Sequence, residues 1–461
     1  MKKSTLFSFV ALAIFAVSCD KTQESFNNLQ EQNDNLTQDE IEALALFYSG
    51  NHIPVEEATC SAQSLMEFLD SEKLTRSTPS RSISSMKPVT RARLTKSGEE
   101  SDTEDTLAYV FNFGQNEGYA ILSADRRTDK VFAIVPDGHL DLTEEVDENL
   151  FSTGLMVFYG NLAGTYDSQI EKAQANQDLL LSQALEKLQS MADVPATKAG
   201  NDDIQIEYGT PKYVTVIAPM IKVRWGQQEP YNYYTPMESG KHCPTGCGAT
   251  AVAQLMSYWR YPASYNWDVM LPETCYETPE TFQTISRLMS DVGTGLNTRY
   301  KPSGSSTFFE DVPGYLTNLG YNPGTYQAFN ADEVQISLGN QRPVLIAGSS
   351  FKNDVYKKYL VFWEKYSYTY YEGGHAWLLD GLMMEMTPSY MIYNGKRIFL
   401  SYTNKLLVHC NYGWPEKGVD GYYDMSAFNI NAGPVTRART VTTGTEGIFQ
   451  FNVECITNIY K

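Results

Sequence analysis

One cysteine in this chain stands where covalent chemistry is favoured, at the start of a predicted helix. Cys247 follows Gly246, which permits a tight turn, and precedes a run of helix formers. Ala251 and Leu255 recur at helical spacing, so one face can be buried, and Pro262 cannot continue the helix. Free backbone N–H groups and the positive end of the helix dipole stabilise a thiolate at the first turn. With a histidine beside it, such a thiolate is an activated nucleophile, although free cysteines are more often packed in cores.

Candidate bases for the thiol are few, because the sequence has five histidines: His52, His139, His242, His375 and His409. His375 begins an apolar strand after two glycines, where a substrate backbone can approach closely. His409 is the second choice, since it lies two residues before Asn411 and would share a strand face with it. The amide oxygen of Asn411 can accept a histidine N–H and fix the tautomer of the ring.

Composition limits the function classes. The 461 residues suggest two or three domains, and 42% hydrophobic with 20% charged residues is typical of a globular chain with a sizeable core. A net charge of −19 and a pI near 4.8 argue against nucleic-acid partners and anionic membrane surfaces. Seven cysteines without paired Cys-x-x-Cys spacing predict no zinc site, and we expect neither a metal nor another cofactor.

The pattern of the N-terminal residues is typical of a targeting segment. Residues 1–18 combine two lysines with an apolar run too short to span a membrane as a stable helix. The run ends in Ala16-Val17-Ser18-Cys19, which resembles a bacterial lipoprotein signal; an ordinary cleaved signal is the alternative. We therefore expect an exported protein, secreted or held at the cell envelope by a lipid on Cys19, with residues 20–38 as a polar tether.

Two folded parts follow. Residues 39–191 contain helical patterns at both ends and strand-like runs between them, with residues 76–104 expected to form an exposed loop. Residues 192–204 are small and polar and suit a linker, where cleavage would fall if the chain is a precursor. Residues 205–461 show a helix followed by several strands, the α+β layout.

Three motifs resemble those of the streptopain family of papain-like cysteine peptidases. The first runs Thr-Gly-Cys247-x-Ala-Thr-Ala, with Gln254 and the pair Tyr261-Pro262 after it. The second is Gly-Gly-His375-Ala continuing to Asp-Gly, and the third is Asn411-Tyr-Gly-Trp, similar to the family's Asn-Trp-Gly-Trp. The resemblance implies a papain-like domain in which the nucleophile helix packs on an antiparallel sheet.

The resemblance also implies roles for individual residues. Cys247 would be the nucleophile, His375 its base and Asn411 the group that orients the base. Gln227, or the adjacent Gln228, would donate to the oxyanion with the Cys247 backbone N–H. The substrate cleft would be lined by four further residues: Ser305, Ser306, Gly374 and Trp414.

Residues 109–138 resemble the prodomain that precedes the catalytic domain in streptopain-like precursors, on the phrase Gly-Tyr-Ala-Ile-Leu-Ser-Ala-Asp-Arg. We therefore expect an α+β prodomain ahead of the peptidase, and a cysteine endopeptidase made as a zymogen. Its partners would be protein or peptide substrates and its own prodomain as inhibitor.

Several departures from the family keep other functions open. Tyr412 and Pro415 replace residues usual in the third motif, and residues 350–372 and 383–405 look like insertions, which we expect near the cleft. A non-catalytic binding or adhesion protein on a peptidase scaffold is one alternative. An amidase acting on cell-wall peptides with the same Cys-His-Asn groups is another.

Overall fold

The computed structural model of this chain describes nine stretches. They are residues 36–71, 81–90, 106–140, 153–192, 204–271, 278–359, 363–415, 418–428 and 451–461. The signal segment, Cys19 and most of the tether and linker lie outside the described residues.

Helices and strands alternate along the described chain. The helices are α1 (Gln38–Ser49), α2 (Val55–Ser71), α3 (Thr153–Ala192), α4 (Cys247–Trp259), α5 (Trp267–Met270), α6 (Pro279–Gly295), α7 (Val312–Asn318) and α8 (Ala331–Gly339). The first strands are β1 (Ile83–Thr90), β2 (Thr106–Phe113), β3 (Tyr119–Ser123), β4 (Val131–Val135), β5 (Gln205–Tyr208), β6 (Lys212–Ile217), β7 (Met237–Glu238) and β8 (Lys241–His242). The later strands are β9 (Thr325–Ala328), β10 (Val344–Tyr359), β11 (Trp363–Tyr393), β12 (Lys396–Asn411), β13 (Gly421–Asp424) and β14 (Phe451–Thr457).

The N-terminal part places helices against a four-stranded antiparallel meander, β1 to β4. Helix α1 begins with a capping box, in which Thr37 and Glu40 satisfy each other's backbone N–H groups. The prediction of a loop over residues 76–104 is wrong for β1. This strand lies at the end of the sheet, with one face half-buried and the other exposed, and its two serines, one lysine and one proline are residues that are also common in loops.

The C-terminal part packs helix α4 on an antiparallel sheet, the α+β papain-like arrangement that the sequence predicts. Helix α4 contacts β11 on one side and α6 on another, and Leu255 and Met256 are fully buried between them. Because β11 also carries His375, this packing places the N-terminal end of α4 beside the strand that carries the histidine.

The sheets of the two parts form one continuous sheet. Its strands run in the order β1-β2-β3-β4-β13-β12-β11-β10-β14-β9, while β5 and β6 also pair with β11. The junction is the pair β4–β13, where Tyr422 lies opposite Ile134 and Tyr423 opposite Ala133. One hydrophobic core crosses this junction, so the N-terminal part is packed as an extension of the peptidase sheet.

Both predicted insertions are β-hairpins. Residues 350–359 and 363–372 lengthen β10 and β11, which remain paired as far as Tyr359 opposite Trp363, with a register shift between Val355 and Tyr356. Residues 383–405 form most of the β11–β12 hairpin, which turns at Asn394 and Gly395 with positive φ angles of 48° and 72°.

The expectation that both insertions lie near the cleft is wrong for the β11–β12 hairpin. Its strand leaves His375 and runs to Tyr393, a path of roughly 60 Å at about 3.3 Å per residue. Its far half pairs with β5 and packs on α1, where Met391 and Leu400 are buried.

Within the described residues, none of the helices combines the length and the apolar character needed to cross a membrane.

Candidate active site

Cys247 is the first residue of α4, and its side chain is half-buried with a free thiol. Gly246 before it has a φ of 89°, which only glycine adopts without strain. The Thr250 backbone N–H donates to the Gly246 carbonyl at 3.0 Å, and the hydroxyls of Thr245 and Thr250 lie 2.8 Å apart. The turn before the helix is therefore held by a backbone hydrogen bond and by the contact between the two hydroxyls.

The thiol lies beside the strand that carries the predicted base. Burial raises the pKa of the Cys247 thiol, whereas the backbone N–H groups of Ala376, Gly248 and Cys247 itself lower it. Ala376 is the residue after His375 on β11, so the helix head and the histidine strand meet at this point. Burial prevails in the full chain, which favours the protonated thiol there.

His375 is buried, with 4% of its surface exposed. Its Nε2 lies 3.1 Å from the main-chain oxygen of Tyr412, which fits an N–H donating to a carbonyl. Burial lowers the pKa of His375 to about 4, although the Tyr412 carbonyl works in the opposite direction. The imidazole is consequently neutral at physiological pH in the full chain.

Aromatic rings enclose the imidazole and account for its burial. Trp377 stacks on it at a centroid distance of 5.9 Å and an angle of 14°. Tyr412 and Trp414 lie at 6.5 Å and 6.3 Å, both within 25° of parallel. These three rings cover the imidazole and account for the small exposed fraction of His375.

Asn411 lies one residue before the carbonyl that bonds His375, but its own side chain is hydrogen-bonded to other groups. Its Oδ1 accepts from Gln254 Nε2 at 3.0 Å and from the Gly413 backbone N–H at 3.1 Å. Its Nδ2 donates to the Val223 carbonyl at 3.2 Å. The role of Asn411 as the group that orients His375 stays a prediction, while the acceptor seen here is the Tyr412 main chain.

Gln254 belongs to the first motif, but the sequence alone predicts no role for it. It lies two turns after Cys247 on α4 and is completely buried. A glutamine that is buried on a helix must find partners for both ends of its amide, and that requirement is the signal that could have identified it.

Gln227 is half-buried, and its main chain is bound to the segment ahead of the nucleophile. The Thr245 backbone N–H donates to the Gln227 carbonyl at 2.9 Å, two residues before Cys247. Gln228 is exposed. Gln227 is therefore the better placed of the two for an oxyanion role, which stays a prediction.

The predicted cleft residues differ in their proximity to the helix head. Ser305 is buried beside it, since a Cβ added to Gly246 would lie 3.1 Å from the Ser305 carbonyl oxygen. Ser306 is exposed and bridges to Arg299, and Gly374 is exposed on β11 opposite Ser349.

Across the residues that the structure describes, no cluster of His, Cys, Asp and Glu is arranged to hold a metal ion.

His409, the second choice as base, is committed to a buried carboxylate. Its Nδ1 lies 2.6 Å from Asp380 Oδ1, and Asp380 Oδ2 accepts from the Ile221 backbone N–H at 2.8 Å. His242 instead lies 2.8 Å from the Thr235 carbonyl through Nδ1. Both arrangements join neighbouring segments of the fold.

The N-terminal part contacts the loop that follows the third motif. Asp137 accepts from the Gly418 backbone N–H at 2.7 Å and forms an ion pair with Arg224 at 3.0 Å. Arg224 Nε also lies 3.7 Å from Asp420, whose Oδ1 accepts from the Tyr412 backbone N–H at 2.9 Å. The Asp137 carboxylate, which lies outside the peptidase part, is thus joined through Arg224 and Asp420 to the backbone of Tyr412.

Comparison with known proteins gives two family matches. The model of the peptidase C10 family matches residues 225–423, and that of the Spi protease inhibitor matches residues 51–153. Streptopain from Streptococcus pyogenes is 25% identical over 368 residues, covering 70% of this chain and 75% of streptopain. The thiol protease/hemagglutinin PrtT of Porphyromonas gingivalis is 23% identical over 296 residues, 54% of this chain and 30% of PrtT. Among solved structures, a fragment of Prevotella intermedia prointerpain A is similar, with a TM-score of 0.45, 18% identity, and coverage of 79% of this chain and 98% of the fragment.

Fold and matches together define a cysteine-type peptidase of papain-like architecture, preceded by an inhibitor-like domain. Its residues 225–423 match the peptidase C10 family, and the chain as a whole is similar to the streptopain-like peptidases.

Proposed function

We propose that the chain is the precursor of an exported cysteine endopeptidase that cleaves proteins through an acyl-enzyme on Cys247. The observation that carries the proposal is the meeting of the α4 head with β11. Cys247 there lies within reach of the backbone N–H of the residue next to His375. Such adjacency is what thiol activation by a histidine requires.

The proposed reaction uses Cys247 as nucleophile and His375 as base. His375 takes the proton of the Cys247 thiol, and the thiolate sulfur attacks the peptide carbonyl carbon. The Cys247 backbone N–H and the Gln227 side-chain amide stabilise the oxyanion. The imidazolium then protonates the leaving amine, the acyl-enzyme forms, and water assisted by neutral His375 releases the acid and regenerates the thiol. Ser305, Ser306 and Gly374 line the cleft, Trp414 shields His375 from water, and Asn411 supports the histidine.

Inhibition by the N-terminal part is the second element of the proposal. We assign residues 39–191 to an inhibitory prodomain, 192–204 to an activation linker and 205–461 to the peptidase. The match of residues 51–153 to a protease inhibitor supports this assignment, as do the bonds of Asp137 to Arg224 and Gly418. Cleavage in the linker would free the peptidase.

Export completes the proposal. Residues 1–18 serve as the signal, and Cys19 carries the lipid that anchors the precursor at the cell envelope. Only the sequence pattern supports the anchor, because these residues lie outside the described part of the chain. Radiolabelled palmitate incorporated by the wild type and lost in Cys19→Ala would support it, and labelling retained in Cys19→Ala would exclude it.

The test of the catalytic proposal is Cys247→Ala in the full-length precursor. We expect loss of self-processing and of casein hydrolysis under reducing conditions, because no other group replaces the sulfur nucleophile. Cys60→Ala is the matched control, since Cys60 is an exposed free thiol on α2 and its loss should leave both activities intact.

Hydrolysis of casein by pure Cys247→Ala protein would contradict the assignment. Turnover of peptidoglycan fragments in place of casein would favour the cell-wall amidase. Alkylation of Cys247 by iodoacetamide at the rate of an ordinary thiol, after removal of the prodomain, would favour a binding protein on a peptidase scaffold.

A further inference from the structure

We propose that Gln254 is a positioning residue that holds the two sides of the cleft in a fixed relation; this rests on the proposed function. Its amide lies between the segment that carries Gln227 and the loop that carries the acceptor of His375. Gln254 Oε1 accepts from the Trp225 backbone N–H at 3.1 Å, and Gln254 Nε2 donates to Asn411 Oδ1 at 3.0 Å. The side chain is fully buried, so water does not substitute for either partner.

The direction of these bonds is determined by their main-chain ends. The Trp225 N–H can only donate, so the oxygen of Gln254 must face it and the nitrogen must face Asn411. Asn411 must then present its oxygen to Gln254. The Gly413 N–H and the Val223 carbonyl independently require the same orientation of Asn411. Both lone pairs of Asn411 Oδ1 are therefore occupied, by Gln254 and by Gly413.

These bonds fix the carbonyl that His375 uses. Asn411 and Gly413 flank Tyr412, and both are held through Asn411 Oδ1. The Tyr412 N–H is held in turn by Asp420 Oδ1 at 2.9 Å. The Tyr412 carbonyl, 3.1 Å from His375 Nε2, thus occupies a position that depends on the Gln254 amide.

The same amide holds the opposite side of the cleft. Trp225 lies two residues before Gln227, and the Gln227 carbonyl accepts from Thr245, ahead of Cys247. Loss of the Gln254 bond to Trp225 would therefore loosen the segment of the proposed oxyanion donor. A displacement of about 1 Å in such a site can reduce turnover about 100-fold.

The test compares Gln254→Glu and Gln254→Met in the processed enzyme with Gln335→Glu, a matched change of a buried glutamine on α8. At pH 7.5 the carboxylate of Gln254→Glu still accepts from Trp225 but repels Asn411 Oδ1. We expect kcat per titrated active site to fall about 100-fold with KM within about twofold. As the pH falls toward 5, burial favours the protonated carboxyl, which can donate to Asn411, and kcat relative to wild type should recover at least about tenfold.

Gln254→Met removes both hydrogen bonds without adding a charge, so we expect a similar loss of kcat with no recovery at low pH. It keeps the proposal testable if Gln254→Glu does not fold. Wild-type kcat per active site in either variant, with only the yield or Tm reduced, would overturn the positioning role. Failure of the proposed function itself would be seen differently, as a wild-type protein that cleaves no casein.

Discussion

At the scale of single residues, the full chain holds the candidate nucleophile and base in their uncharged forms. Burial raises the pKa of the Cys247 thiol and lowers that of His375 to about 4. Stacked rings of Trp377, Tyr412 and Trp414 cause the desolvation of the imidazole. A neutral pair fits a precursor, since the thiolate is the nucleophile and needs a proton acceptor that is free to charge.

The depressed pKa of His375 predicts a stability that depends on pH. The unfolded chain binds a proton at His375 near pH 6.5, whereas the folded chain does so only near pH 4. Between these values the unfolded state holds more protons, so stability is present above pH 6.5 and is lost as the pH falls toward 4. In a Cys247→Ala background, the titration of His375 should make the free energy of unfolding about 2 kcal/mol lower at pH 4.5 than at pH 7.5.

Urea denaturation at the two pH values measures this difference. The His375→Gln variant in the same background is the control, because glutamine does not titrate and should show a smaller loss on acidification. An equal loss in both proteins would mean that His375 is not held neutral by its surroundings.

At the scale of elements, the start of α4 depends on one glycine. Gly246 has a φ of 89°, and a Cβ there would lie 3.1 Å from the Ser305 carbonyl oxygen. Both facts disfavour a side chain at the residue before Cys247. A side chain at residue 246 can therefore displace the Cys247 thiol even if the length and direction of α4 do not change.

Gly246→Ala should lower both stability and activity. The left-handed backbone costs an alanine about 1–2 kcal/mol, and the contact with Ser305 pushes the helix head from its position. Gly314→Ala is the control, since Gly314 lies within α7 without a positive φ and a Cβ there meets no atom within 4 Å. Thermal unfolding and kcat/KM should fall for the first change only; an unaltered Gly246→Ala enzyme would contradict the geometry.

At the scale of the whole molecule, a carboxylate of the N-terminal part is tied to the loop beside His375. Asp137 bonds Arg224 and the Gly418 N–H, and Arg224 in turn lies near Asp420. Half-buried charge pairs of this kind contribute to association when both partners are held in place.

Asp137→Asn should therefore accelerate self-processing of the full-length precursor under reducing conditions, by about tenfold. The amide keeps the size of the side chain but loses the ion pair with Arg224. Glu67→Gln is the control, because Glu67 is an exposed acid on α2. Gel analysis over time measures the rate, and equal rates for Asp137→Asn and wild type would show that this contact does not restrain the precursor.

Local patterns predict much of the fold and of the site. The α4 helix with Cys247 at its start, and the apolar strand after His375, follow from spacing and turn residues within about twenty positions. Contacts between distant residues do not follow. Gln254 meets partners 29 and 157 positions away, and the direction of its amide is settled by main-chain groups that sequence patterns do not locate. Strand β1 could not be predicted from the sequence for a related reason. Its polar composition is similar to that of a loop, and its pairing with β2 is what defines it as a strand.

The β4–β13 pair has a further consequence. If maturation removes residues 39–191, β13 keeps its pairing with β12 but loses β4, and Tyr422 and Tyr423 come to lie on an open sheet edge of amide and carbonyl groups. The released enzyme would then offer a template on which another polypeptide, or a fragment of its own leader, could dock in extended form.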